Sequence, residues 1–409
     1  MRTVPALLLL AACDGVPRNV EYFSDVQPIL EDHCVRCHQP GGVGPIDLTD
    51  PAIAASWSEV IAEATRTGAM PPPVSDPECR DYLGSEHLAV SDRDRRTLAR
   101  WAERGAPMGD RTDATPGTEQ PTTLEDADLH VRIPPFAPTY DDPNNPGNEY
   151  RCFVLDHGRD SDFFVTGLDA EVDQQAIVHH MVLAAVDRSA LPADFDREHG
   201  EDCISDDMGA IEHMLAAWAP GSEPQVFQPG TGMRVGVDQV LLLQMHYYRS
   251  SAEVVGLSDQ SGYALRTAPS VDTRLEVLTL GSSSFRIPAN DPDYRFGEGW
   301  RTDRDLMIHG IFPHMHALGS GYRMWVDDDR PKDCLVASEG YDFHNQITYL
   351  FREPVPVASG RTLNWECAWN NAADNPDRLT PESSDVFYGE GSDAEMCFFF
   401  TIVEAGSDR

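Results

Sequence analysis

Basic side chains are scarce in this chain. Lysine and arginine total 31 against 68 aspartates and glutamates, giving a formal net charge of −37; nucleic acid and anionic membrane surfaces would repel it. Long apolar runs are also missing. Past the first dozen residues no segment reaches the roughly 18 consecutive apolar residues that a membrane-spanning helix needs. Extended helical periodicity is thin as well. Glycine and proline, by contrast, are plentiful at 31 each and lie between short apolar runs, which predicts a mostly β protein with many turns. At 409 residues the chain exceeds what one hydrophobic core usually supports, so two or three domains are expected.

The first residues, Met1-Arg2-Thr3-Val4-Pro5 followed by apolar Ala6 to Ala12 and then Cys13, have the form of an export signal. Leu10-Ala11-Ala12-Cys13 resembles the bacterial lipobox. That implies cleavage before Cys13, a membrane tether through lipid on Cys13, and residence in the bacterial cell envelope as a periplasmic or cell-surface lipoprotein. Such a compartment permits disulfides. Of nine cysteines, six (Cys79, Cys152, Cys203, Cys334, Cys367 and Cys397) remain for up to three bridges once Cys13, Cys34 and Cys37 are otherwise assigned. Spacing alone does not fix their pairing.

Cys34-Val35-Arg36-Cys37-His38 is the C-x-x-C-H pattern of covalent haem attachment. Two thiols form thioethers to the haem, and the histidine ligates the iron. Ser24 is placed as the N-cap of a short helix delivering the motif. A second helix is announced by Ser56-x-x-Glu59 and ends at Gly68. Met70, just before Pro71-Pro72-Pro73, then resembles the distal methionine of c-type cytochromes, with Met108 as the competing candidate. A third helix from Ser91 to Gly105 carries the apolar stripe Leu98, Ala99, Trp101 and Ala102. Residues 14–109 are thus expected to form a small all-α cytochrome c-like haem domain, with His33 a solvated neighbour of the motif. Residues 110–127, nearly devoid of apolar side chains, read as a linker.

From residue 128 onward, short apolar runs alternate with turn-forming stretches, predicting two tandem antiparallel β-sandwich (jelly-roll-like) domains at 128–270 and 271–409. The histidines within them cluster. His179 and His180 are adjacent on a strand, His246 lies on another, and His314 and His316 stand two apart, where an extended backbone points both to one face. A thioether arriving from Met396 could close a soft site suited to copper. Adjacent residues of a regular strand face opposite ways, so His179 and His180 share a metal only if the backbone bends.

Taken in order, His179-His180-Met181, Leu243-Gln244-Met245-His246-Tyr247, Pro313-His314-Met315-His316 with Leu318 to Arg323, and Glu395-Met396-Cys397 resemble the copper type II, ascorbate-dependent monooxygenases. That family contains dopamine β-monooxygenase and peptidylglycine α-hydroxylating monooxygenase. The resemblance runs from about Tyr150 to Val403. It implies two copper ions: an electron-transfer copper on His179, His180 and His246, and an oxygen-binding, catalytic copper on His314, His316 and Met396. It also implies disulfides Cys152–Cys203 and Cys367–Cys397, leaving Cys79 and Cys334 to pair or stay free. His309 resembles a supporting histidine of the family. His157, His199, His213 and His344 carry no motif, so solvated or core roles are expected of them.

The implied activity is hydroxylation of a C–H bond of a small organic substrate with dioxygen. Electrons would come from an ascorbate-like reductant or a periplasmic donor, relayed through the fused haem. Peptide-amidating members grip a carboxylate with an arginine near the His-x-His pair. Here no arginine lies between Met307 and His314, Phe312 occupies that region, and Phe398 to Phe400 follow Cys397. A carboxylate-terminated peptide is therefore not the expected substrate. The same ligands would also serve a non-catalytic haem–copper protein for electron transfer, copper handling or sensing, whereas a three-histidine zinc hydrolase leaves Met396 without a role.

Overall fold

The fold is that of a computed structural model, which describes residues 15–40, 44–117, 123–141, 147–203, 213–220, 222–249, 252–328, 333–379, 384–389, 391 and 393–406. Cys13 and its export segment lie outside them. The described residues divide into two compact units. Residues 15–40, Gly44–Pro71 and 86–117 make the first, and residues 72–85 with those from 123 on make the second.

The first unit is helical in short pieces. α1 (Gln27–His33) follows a π-helical turn at Tyr22–Val26. Ser24 lies inside that turn and donates to Asp25, so it is not the helix cap. α2 (Pro51–Ser56) is capped by Asp50, whose carboxylate accepts from the amides of Ala52 and Ile53. α3 (Ser58–Thr67) ends on Gly68 at φ 76°, a left-handed stop that a side chain would oppose. α4 (Ser85–Leu88) is a single turn. α5 (Asp92–Glu103) starts at Ser91, whose hydroxyl accepts from the Asp94 amide as the sequence predicts. Leu98 and Trp101 are fully buried against Val20, Val26 and Leu30.

This corrects the expected fold class. The helices run from 4 to 12 residues, and residues 14–109 are not a self-contained all-α cytochrome c-like domain. Residues 72–85 fold with the β unit: Cys79 bridges to Cys334, Tyr82 pairs with Phe351, and the Ser75 amide donates to the Tyr349 hydroxyl. Helical spacing between Gly68 and Ser91 cannot reveal these partners, which lie more than 250 residues further along the chain.

The second unit is nearly all strand. One sheet runs in the order β1 (Leu129–Arg132), β10 (Gly262–Ala268), β3 (Phe163–Glu171), β8 (Thr231–Val235), β11 (Thr273–Ser282), β20 (Cys397–Glu404), β14 (Leu306–His314) and β17 (Tyr349–Val357), with β7 (Gln225–Val226) paired to β3. A second has the order β5 (Glu201–Asp202), β2 (Asn148–Leu155), β9 (Gln239–Tyr248), β4 (Val178–Asp187) and β6 (Met214–Trp218). A third joins β13 (Tyr294–Arg301), β18 (Thr362–Trp369), β15 (Gly319–Val326) and β16 (Cys334–Ser338), and β12 (Arg286–Ile287) pairs with β19 (Val386–Phe387). The tandem-sandwich expectation fails at its boundary. β8 and β11 pair in parallel, so a single sheet passes through the residue 270 division. Leu168, Leu243, Met245, Leu275 and Ile402 from both sides of that division pack in one core.

Candidate metal centres

The three imidazoles of the first cluster come from two neighbouring strands, β4 and β9. Their antiparallel register steps between Val178, opposite Tyr247, and His180, opposite His246. This bulge leaves His179 as the extra residue and turns both adjacent histidines toward His246. The three Nδ1 atoms lie 3.1 to 3.3 Å apart. Nitrogens so spaced enclose a point roughly 2 Å from each, the usual metal–imidazole bond length. Three lone pairs facing one another without a cation repel, so the donor set fits a metal ion.

The outer nitrogens are held as well. His246 Nε2 bonds Asn148 Oδ1 at 2.8 Å, and His179 Nε2 bonds His344 Nδ1 at 2.9 Å. Tyr150 stacks flat on His246 at 4.1 Å.

The second cluster sits where β14 ends. His314 and His316 have ring centroids 5.2 Å apart. His314 Nδ1 donates to Gln346 Oε1 at 2.7 Å, and His316 Nδ1 donates to the Ala394 carbonyl at 3.1 Å. Both rings are thereby fixed with the Nε2 lone pair free. Between them, Met315 is clamped by Tyr341, whose hydroxyl accepts from the Met315 amide and donates to its carbonyl.

Glu395 is fully buried and accepts from the amides of His316, Leu318 and Met396 and from the Trp369 indole. It ties the His-x-His turn to the strand that brings Met396. The Cys367–Cys397 disulfide anchors the same strand.

His180, His314, His316 and Met396 line one cavity of about 730 Å³, solvent-open space included. Its other walls include Phe312, Phe400, Met214, Ala217 and Trp218. Among the described residues, no arginine or lysine lines it. Phe398 and Phe400 pack on this side with Phe312, while Phe399 between them is fully buried on the opposite face, as strand alternation requires.

Burial is the first cause that lowers the proton affinity of all five imidazoles. It brings His179 and His316 down to about 3, assisted by His344 and His314 respectively, and holds His180, His246 and His314 below the usual range. Neutral imidazoles offer lone pairs to a metal at any pH near neutrality. Burial also pushes Glu395 up to about 7, against four hydrogen bonds that stabilise its charge.

Cys34 and Cys37 in the first unit form no disulfide, whereas the other six described cysteines form three: Cys79–Cys334, Cys152–Cys203 and Cys367–Cys397. The amides of Cys37 and His38 both donate to the Cys34 carbonyl, drawing the motif into one turn. His38 Nδ1 faces the Ile46 carbonyl at 3.3 Å, leaving Nε2 available. Burial pushes the Cys34 thiol up to about 12. Met70 is 44% exposed, and Met108 packs against the core.

His33 departs from expectation, being buried and bonded to the His87 carbonyl at 2.9 Å. His309 is buried at a bulge in β14, faces Glu404 and joins neither cluster. Sequence reasoning missed His344 and Gln346, which reach both clusters from one loop. The spacing of either residue to the histidines, in sequence, carries no signal.

Residues 137–253 match the family described as copper type II ascorbate-dependent monooxygenase, N-terminal domain. Among curated proteins, DBH-like monooxygenase protein 1 of Gallus gallus is 26% identical over 254 residues, covering 56% of this chain and 39% of that protein. Dopamine beta-hydroxylase of Rattus norvegicus is 24% identical over 214 residues, covering 48% and 34%. The chain therefore spans well under half the length of these relatives. A solved structure, the major capsid protein P2 of bacteriophage PM2, overlaps 64% of the chain at a TM-score of 0.25 and 6% identity, too low to relate the folds. The matched residues include His179, His180 and His246, so this part of the chain is similar to that family, as it is to the two relatives.

Proposed function

We propose that the chain is a copper monooxygenase that hydroxylates a C–H bond of a small, uncharged substrate, with His179, His180 and His246 holding one copper and His314, His316 and Met396 the other. The balance is substrate C–H plus dioxygen, two electrons and two protons, giving C–OH and water. The observation that carries this reading is the shared cavity: His180, His314, His316 and Met396 line the same space. Bound copper would supply oxygen binding and one-electron transfer there.

The chain's own residues do the rest. Asn148, Gln346 and the Ala394 carbonyl fix the tautomers of His246, His314 and His316, so that these three rings offer a lone pair before metal arrives. Glu395 and the Cys367–Cys397 bridge hold Met396 near the His-x-His turn. Phe312, Phe400, Met214 and Ala217 give the cavity an apolar wall that excludes water and favours an apolar or aromatic substrate over a carboxylate.

An ascorbate-like reductant is the electron source the family suggests. Cys34, Cys37 and His38 would hold a covalent haem as a further one-electron carrier.

The test is metal analysis joined to turnover. Two coppers per chain and dioxygen-derived oxygen in an apolar aromatic substrate are expected, with a peptide ending in a carboxylate not turned over. A chain that binds copper but consumes dioxygen only without substrate would be a carrier of electrons or metal, not an oxygenase.

A further inference from the structure

The segment Tyr341–Gln346 touches both clusters. Phe343 packs its ring 5.0 Å from that of His179 and 6.0 Å from that of His316. Gln346 accepts the Nδ1 proton of His314, Tyr341 clamps Met315, and His344 meets His179. His344 itself is exposed, with its amide held by Asp342. Its ring meets that of His179 edge-on, with centroids 5.1 Å apart, and lies 5.5 Å from the ring of Phe343.

We propose that His344 is a positioning residue of the first cluster, whose Nδ1 accepts the Nε2–H of His179 and so turns the Nδ1 lone pair of His179 toward the metal. It rests on the proposed copper reading of these residues. The inward set is already made by three Nδ1 atoms within 3.3 Å of one another. His344 lies on the far side of the His179 ring, so it supports a ligand and is not a fourth one. His246 is served in the same way by Asn148, a hydrogen-bond partner that fixes ring orientation and raises ligand basicity.

His344 and Gln346 sit two residues apart on one loop. Metal at the first cluster therefore restrains the segment that orients His314. By reciprocity, copper at one cluster strengthens binding at the other.

The experiment uses the full chain titrated with Cu(II) against a competing chelator, with the copper signals followed by electron paramagnetic resonance. His344→Ala is expected to weaken copper at the first cluster by about 10- to 100-fold and to change its spectrum. It should also remove the strengthening of the second site. His344→Asn, whose Oδ1 can stand where Nδ1 stood, is expected to restore all three.

Equal affinity and spectrum for His344→Ala and the unaltered chain would overturn the proposal. So would equal impairment in the alanine and asparagine variants, which would reduce His344 to packing, or X-ray absorption showing four imidazoles on the first copper. If the unaltered chain itself takes up no copper, the underlying reading fails and the inference with it, an outcome distinct from any difference between variants.

Discussion

The two clusters use the same side chain turned opposite ways. At the β4–β9 bulge the histidines face inward through Nδ1, and Asn148 and His344 hold two of the outer nitrogens. At the end of β14 the Nδ1 protons are tied outward to Gln346 and Ala394, leaving each Nε2 free where the rings line a cavity that Met396 also lines. The first arrangement is compact, with three similar donors that suit both copper oxidation states. The second is open on an apolar cavity and includes sulfur, which favours Cu(I). The contrast lies in which ring nitrogen the surrounding hydrogen bonds leave free, and the proposed reading adds a thioether at the second cluster alone.

Met396→Ala should break the contrast most severely. Hydroxylation is expected to fall by more than about 100-fold, beyond the effect of losing a supporting bond, while chelator competition still finds copper on the three-histidine cluster. If oxygen chemistry survived that change, the assignment of roles would be reversed or void.

Glu395→Ala should come next. It leaves the His316 and Leu318 amides and the Trp369 indole without their buried acceptor, a loss of about 3 kcal/mol or more that denaturant unfolding would read. Glu395→Gln, which keeps an acceptor oxygen, should lose far less.

Replacing Cys367 and Cys397 by serine opens a bridge spanning 30 residues and should cost about 3 kcal/mol. Because the bridge adjoins Met396 and not the β4–β9 bulge, copper affinity should drop mainly at the second cluster, with the first losing only the strengthening that the second supplies. That result would sharpen the comparison between the sites.

The copper-free chain is expected to respond to pH as well. Five imidazoles bind protons less readily folded than unfolded, so their contribution to stability is complete above about 6.5. It is lost as pH falls toward about 3, the value for His179 and His316. Glu395 runs the other way: its contribution is present below about 4.5 and fades as pH rises through about 7. Unfolding midpoints should therefore decline from pH 6.5 downward, and that slope should flatten when the histidines of either cluster are replaced.

Much of the site was legible in the chain as written. His314 and His316 two apart on extended backbone, histidines on apolar strand-like runs, and a methionine next to a cysteine are local patterns, and local geometry follows from two-residue periodicity. The adjacent pair His179-His180 was the weak point of that reading, since regular strands divide such neighbours. A bulge resolves it, and a bulge depends on the register of the partner strand carrying His246. The helical segments were legible at α5, where Ser91 and Asp94 form a cap, and illegible at Ser24, where a π-helical turn absorbs the expected cap.

By itself the sequence determined the acidic composition, the β-rich patterning, the C-x-x-C-H motif of Cys34, Cys37 and His38, and the candidate nitrogen and sulfur donors. Tertiary structure alone decided that residues 72–85 join the β unit through Cys79–Cys334, that one sheet crosses the expected domain boundary, and that His344 and Gln346 stand behind the two clusters. The physical reason is range. Capping, alternation and motif spacing act over a few residues, whereas these contacts close loops of 32 to 255 residues, and their existence depends on how the sheets pack.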